Sequence, residues 1–84
     1  MYNVIVNKTV KKQLDKIPIV YAKKIAFAIY SLEIEPRPSG CKKLVDFNNS
    51  YRIRVGNYRI IYTIEDEQLI VQVIKVGHRQ SIYD

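Results

Sequence analysis

Gly56-Asn57 separates two runs, Tyr51-Arg52-Ile53-Arg54-Val55 and Tyr58-Arg59-Ile60-Ile61-Tyr62, in which apolar and basic residues alternate. Side chains of a strand point alternately to opposite faces, and a two-residue loop that begins with Gly suits a type II′ hairpin turn. The register follows from the turn. Val55 faces Tyr58, Arg54 faces Arg59, Ile53 faces Ile60, Arg52 faces Ile61 and Tyr51 faces Tyr62. Tyr51, Ile53, Val55, Tyr58, Ile60 and Tyr62 then make one apolar face that has to be covered, and Arg52, Arg54 and Arg59 gather on the other.

The cover comes from the first half of the chain. Tyr2, Val4 and Val6 alternate with Asn3, Ile5 and Asn7 in a short first strand. Asn7 is a suitable N-cap for a helix carrying Val10, Leu14 and Ile17. Pro18 breaks that helix and fits the first turn of a second, whose apolar stripe is Tyr21, Ala22, Ile25, Ala26, Ile29 and Leu32. Lys23 and Lys24 lie beside the stripe and read as a solvated helix face. Pro36, Arg37, Pro38, Ser39 and Gly40 form a loop. After the hairpin, a turn around Glu65 to Gln68 leads to a third strand, Leu69 to Val76, ended by Gly77. Continued pairing sets Val71 against Tyr62, Val73 against Ile60 and Lys75 beside Tyr58. The expected fold is α+β: an N-terminal strand and a two-helix hairpin packed on a small antiparallel β-sheet, one domain over residues 1–84.

A chain of 84 residues supports one small core, burying roughly 60–65% of the surface its unfolded form exposes. With 48% apolar and 26% charged residues the composition is that of a globular protein. There is no apolar run of the roughly 20 residues that a membrane-spanning helix needs, and Met1 to Val6 does not resemble a secretory signal. No membrane association and a cytoplasmic location are expected. Cys41 is the sole cysteine and His78 the sole histidine, too few for a zinc site, so metal-free action without a cofactor is expected.

Fourteen Lys and Arg against eight Asp and Glu give a net charge of +6, a field that draws polyanions. The acidic run Glu65-Asp66-Glu67 is a single cluster. Lys42, Lys43, Arg52, Arg54, Arg59, Lys75 and Arg79 flank it, and they can share a surface if the acidic run is a turn. Like charges directly opposite one another across strands cost about 0.2–1 kcal/mol. Two reasons remain open for the Arg54–Arg59 pairing: a bound phosphate, each of whose charge-assisted hydrogen bonds contributes about 1.5–3 kcal/mol, or simple screening by solvent and salt. The closing segment Gly77-His78-Arg79-Gln80-Ser81-Ile82-Tyr83-Asp84 joins an imidazole, a residue type suited to proton transfer, with a phosphate-binding fork and a ring able to stack on an unpaired base. It reads either as chemistry on nucleic acid or as a polar terminus. The expected topology lets this tail meet the arginines, and a one-residue slip in parity would part them.

Lys43-Leu44, the basic strand 51–55, Gly56-Asn57-Tyr58-Arg59-Ile60-Ile61-Tyr62 and Val76-Gly77-His78-Arg79 with Ile82-Tyr83 together resemble the RelE/ParE superfamily of bacterial toxin–antitoxin systems. Within it the pattern is closer to the RelE-type ribosome-dependent mRNA endonucleases. The resemblance implies metal-free cleavage of mRNA in the ribosomal A site by attack of a 2′-OH on its own phosphate, and a cognate RelB-like antitoxin, acidic and partly helical, that wraps around the toxin. It also implies roles: Arg54 and Arg59 hold the scissile phosphate, Arg79 stabilises the developing charge or leaving oxygen, and Tyr83 stacks on a base. Lys43, Arg52 and Lys75 extend the RNA-binding surface. RelE members commonly carry lysines where this chain has Arg52 and Arg54, and an arginine does not give up a proton. His78 is therefore the candidate general base. Two other classes stay open, a ParE-like DNA gyrase inhibitor and a catalytically inactive toxin-fold module that binds RNA or an antitoxin.

Overall fold

Five strands and two helices follow the order strand, helix, helix, then four strands: β1 (Asn3–Val6), α1 (Lys8–Asp15), α2 (Ile19–Ser31), β2 (Lys42–Lys43), β3 (Ser50–Val55), β4 (Tyr58–Glu65) and β5 (Ile70–His78). They come from a computed structural model that describes residues 1–45 and 48–78. The strands form one sheet in the order β1-β5-β4-β3-β2. The α+β architecture is the expected one, but the sheet is mixed. β1 runs parallel to β5, with Val4 beside Val71 and Val6 beside Val73, and the other neighbours are antiparallel. Two helices separate β1 from the rest of the sheet in sequence, so β1 is free to enter at the far edge in the parallel sense. β2, only two residues long, carries too little alternation to be legible in the sequence.

The central hairpin has the register its turn dictates, from Val55 opposite Tyr58 to Tyr51 opposite Tyr62. Gly56 takes a φ of 60°, the mirror-image region required at the first position of such a turn. One face of β3 and β4 packs beneath the helices, where Ile53, Ile60, Tyr62 and Ile64 meet Val10 of α1, Ile25 and Ile29 of α2, and Leu32 just beyond it. Tyr51 and Tyr62, directly opposite, stack with ring centroids 6.0 Å apart.

The third strand departs from the expected register. Leu69, with a φ of 55°, belongs to the turn, so pairing starts later and Val71 lies opposite Ile64 and Val73 opposite Tyr62. A bulge follows: Tyr62 pairs with Val73 while Ile61 pairs with Lys75, leaving Ile74 as the extra residue. The reason is visible in the spacing. Val73 and Val76 are three apart and would face opposite ways in a regular strand, but one inserted residue returns Val76 to the core side, where both valines are at most 1% exposed. Lys75 consequently lies opposite Ile61 and not beside Tyr58, and the strand continues through Gly77 to His78, which takes the place opposite Tyr58. β1 has ended by this point, and the Gln13 side chain of α1 accepts the Val76 N–H at 2.8 Å.

Helix α1 starts where Asn7 predicts, the Asn7 side-chain oxygen accepting from the Val10 N–H at 2.8 Å. It stops at Asp15, short of the expected Ile17, which packs on the core from the connecting loop. On α2, Ile25 and Ile29 are buried, whereas Tyr21 is 44% exposed. The loop after α2 is tied down twice. The Tyr62 hydroxyl donates to the Pro36 carbonyl at 2.8 Å, and burial, then the Cys41 thiol alongside, pushes that phenol well above its ordinary range. Arg37 grips the Asp66 carboxylate with both terminal nitrogens, at 3.2 and 2.8 Å, and the Tyr2 hydroxyl donates to Asp66 at 2.6 Å.

Asn7→Ala is expected to lower stability by about 1 kcal/mol, a fall in Tm of roughly 4–8 °C for a domain of this size, read by thermal unfolding; Asn7→Asp should stay close to wild type. A second outcome concerns acid. Hydrogen bonds from Arg37 first and Tyr2 second hold the Asp66 carboxyl below the usual carboxylate range. The folded state therefore binds that proton less readily than the unfolded one, and the contribution is complete above the ordinary carboxylate pKa of about 3.9 and is lost as pH falls through the lower folded value. Asp66→Asn should flatten the stability–pH curve on that acid limb and leave its slope near neutrality unchanged.

Candidate nucleic-acid interface

Residues directly opposite on neighbouring strands share a face, so the register sorts every basic side chain of the sheet. On the face away from the helices, one row across four strands runs Lys42, Arg52, Ile61, Lys75, and the next runs Arg54, Arg59, Gly77. Arg54 and Arg59 are thus the cross-strand neighbours that the turn predicts. The acidic residues Asp66 and Glu67 lie in the turn after β4, at the opposite end of that strand from Arg59, which leaves the basic rows undivided.

The three arginines of this face differ in availability. Arg52 is 5% exposed and Arg59 half-buried; both are already engaged within the fold. Arg54 is exposed. Gly77 lies opposite Arg59 and contributes no side chain to that row. Between the loop after α2 and the outer edge of β3 runs a groove of about 430 Å³, lined on one side by Pro38, Ser39 and Gly40 with Ala28 of α2, and on the other by Arg52, Ile53, Arg54 and Val55. The groove exists because β2 pairs only with Tyr51 and Arg52 and leaves the edge of β3 beyond Arg52 uncovered. Planar guanidinium forks on two facing strands are suited to bidentate capture of a phosphate, and a groove along them suits a strand of nucleic acid.

The register also separates residues that the sequence grouped together. Lys43 lies opposite Tyr51, on the helix-side parity, whereas Lys42 belongs to the basic face; the sequence put both lysines among the residues able to share a surface but gave the binding role to Lys43 alone, since β2 has too few residues to reveal its parity. His78 is on the helix side as well. Its ring stands edge-on to Tyr58, with centroids 5.6 Å apart and planes at 81°, and Tyr58 in turn contacts Tyr21 of α2 at 5.7 Å. The bulge at Ile74 turned the parity, so the imidazole and the Arg54–Arg59 pair do not share a face. Arg79 and Tyr83 lie outside the described residues. Among the described residues no group of three or more His, Cys, Asp or Glu side chains could hold a metal ion, and no helix is long and apolar enough to cross a membrane.

Residues 4–83 match the family model described as the ParE toxin of the type II toxin–antitoxin system parDE. The chain belongs to the RelE/ParE toxin family. Its relatives carry the RelE-type name: it is 32% identical to toxin RelG of Mycobacterium tuberculosis over 98% of this chain and 95% of that protein. Among solved structures, the RelE–RelB complex of Pyrococcus horikoshii is similar with a TM-score of 0.84 and 28% identity, covering 96% of this chain and 98% of that one. The RelB–RelE antitoxin–toxin complex of Methanococcus jannaschii follows at 0.73 and 34%, with 95% of each chain covered. This protein is accordingly a toxin of a type II toxin–antitoxin system, of the RelE type.

For this toxin, Arg54→Glu is expected to act in two opposite directions. Replacing a like-charged cross-strand pair by an oppositely charged one should raise stability by about 0.2–1 kcal/mol, measured by urea unfolding. The same change should weaken binding to single-stranded RNA and reduce the slope of log affinity against log salt, since one lost phosphate contact lowers that slope by about 0.7 on a single strand. Unchanged RNA affinity would remove Arg54 from the interface.

Proposed function

We propose that this toxin is a ribosome-dependent endoribonuclease that cleaves mRNA in the A site, inhibiting translation, and that a RelB-like antitoxin holds it inactive. The observation that carries the reading is the Arg54–Arg59 cross-strand pair beside an open groove, in a chain whose relatives are RelE-type toxins. In the reaction the RNA 2′-oxygen bonds to its adjacent phosphorus, the bond from phosphorus to the 5′-oxygen breaks, and a cyclic phosphate and a 5′-hydroxyl result. One proton leaves the 2′-OH and one reaches the departing 5′-oxygen. Arg54, with Arg59 behind it, neutralises the phosphate as negative charge grows in the transition state. Arg79 supports the leaving oxygen and Tyr83 stacks on a splayed base. Lys42 and Lys75 guide the RNA backbone; Arg52, being buried, supports the strand more than it contacts the ligand, and Lys43 contributes from the sheet edge. The ribosome contributes orientation, which can substitute for strong acid–base groups by bringing the 2′-oxygen in line with the phosphorus.

Proton acceptance from the 2′-OH falls to a group outside the Arg54–Arg59 pair, since a guanidinium does not give up its proton. His78 has the chemistry of a proton acceptor, but its ring lies on the helix side against Tyr58, on the other face of the sheet from Arg54 and Arg59. A general base is worth about 10²–10⁴-fold. The similarity to the antitoxin–toxin complex of Methanococcus jannaschii supports a RelB-like partner, and a chain with net charge +6 favours an acidic one. The family model bears the ParE name, which makes gyrase inhibition the reading to test alongside.

Ribosomes programmed with a defined mRNA, incubated with the purified toxin and mapped by primer extension, are expected to show cuts in the A-site codon and none in free mRNA. Arg54→Ala should slow cleavage by about 10²–10³-fold, the loss typical of one preorganised electrostatic donor, and Arg79→Ala and Tyr83→Ala should also slow it. A loss of less than tenfold in His78→Ala would exclude it as the base. Intact mRNA from a folded toxin, together with blocked DNA supercoiling by gyrase, would replace the endonuclease reading with the ParE-like one.

A further inference from the structure

A cluster of four side chains from distant parts of the sequence lies away from the arginine face and yet controls one wall of its groove. Arg37 stands in the loop between α2 and β2. Besides gripping both oxygens of Asp66, it donates from Nε to the Tyr51 hydroxyl at 3.3 Å, and its guanidinium lies 5.1 Å from the centre of the Tyr51 ring. Tyr2, just before β1, completes the hold on Asp66. One residue earlier, Pro36 is fastened by Tyr62. The residues that follow Arg37 directly, Pro38, Ser39 and Gly40, form the groove wall across from Arg54. A turn closed by the Cys41 N–H on the Pro38 carbonyl at 3.0 Å shapes that wall, and Gly40, with a φ of 87°, allows the turn.

The ion pair is open to solvent, with side chains 41% and 55% exposed, and pairs of that kind add little to global stability. A two-pronged grip with a stacked ring instead fixes direction, since the planar fork holds both partners in one orientation. Lysine can supply the charge but neither the fork nor the stacking. The loop is thereby held to β3 through Tyr51 and to the turn after β4 through Asp66, the same hairpin that carries Arg54 and Arg59. The wall and the Arg54–Arg59 pair are thus tied to the same two strands.

We propose that Arg37 is a positioning residue for the RNA groove: by clamping Asp66 and Tyr51 it sets the 38–40 wall at a fixed distance from Arg54. The proposal rests on the endonuclease reading, because a wall matters to rate only where a scissile phosphate is held at Arg54. It deepens that reading by giving the groove a second side, built from a segment that makes no use of the basic face.

The test compares wild type, Arg37→Ala and Arg37→Lys in ribosome-programmed mRNA cleavage at saturating and subsaturating toxin, with amide exchange followed in parallel. Arg37→Ala is expected to remain folded, to lower the cleavage rate at saturation by about ten- to a hundredfold, as small misplacements of reacting groups do, and to leave the half-saturating concentration within about twofold. Exchange of the Cys41 amide should accelerate while the amides of β5 stay protected. Arg37→Lys should fall between the two. An Arg37→Ala toxin that cleaves within about twofold of wild type, or whose Cys41 amide exchanges no faster, overturns the proposal and leaves the endonuclease reading standing. A slowed rate accompanied by general loss of protection across β5 also overturns it, since Arg37 would then be a stabilising residue only. Wild-type toxin that leaves ribosome-bound mRNA intact overturns both.

Discussion

Everything in this molecule hangs on the parity that the Gly56-Asn57 turn imposes on β3 and β4. A two-residue hairpin permits one register, and a strand has only two faces. Fixing Val55 opposite Tyr58 therefore decides at once that Tyr51, Ile53, Ile60 and Tyr62 enter the core and that Arg52, Arg54 and Arg59 leave it. A slip of one residue would turn three guanidinium groups into the apolar layer under the helices and expose the core, a cost that no small domain could sustain. The repulsion between Arg54 and Arg59 is weak beside that penalty, so the like-charged pair is held in place by its neighbours' burial, and the fold itself concentrates the positive charge.

The bulge at Ile74 is the second decision. It brings Val76 into the core with Val71 and Val73, and the same inserted residue determines what lies next to the arginines. Gly77, not a side chain, faces Arg59, and His78 turns to the helix side against Tyr58. A packing requirement in the core thus sets the chemistry available on the opposite surface: permanent cations and lysines on one side, the imidazole on the other. Under the proposed endonuclease reading, catalysis by such a face would depend on charge and orientation more than on proton transfer from within the sheet.

The loop after α2 links these two levels. It is anchored through Tyr62 to the core and through Arg37 and Asp66 to the hairpin's far end. The short β2 is what makes room for it. A longer β2 would have paired with the edge of β3 beside Arg54 and closed the groove.

Local chemistry in the sequence determined the hairpin register, the Asn7 cap, the two amphipathic helices and the placement of Arg54 opposite Arg59, because each depends on residues within a few positions of one another. The RelE/ParE resemblance was legible for the same reason, being carried by the hairpin and the segment after it. Tertiary structure alone decided the rest. Nothing local tells β1 to enter parallel to β5, which is a choice among free sheet edges. The three-residue spacing of Val73 and Val76 hinted at a bulge, but which residue is extra depends on pairing with β4. The exchange of Lys42 for Lys43 on the basic face, the separation of His78 from the arginines and the cluster of Tyr2, Arg37, Tyr51 and Asp66 all arise from contacts between segments far apart in the chain, where periodicity carries no information.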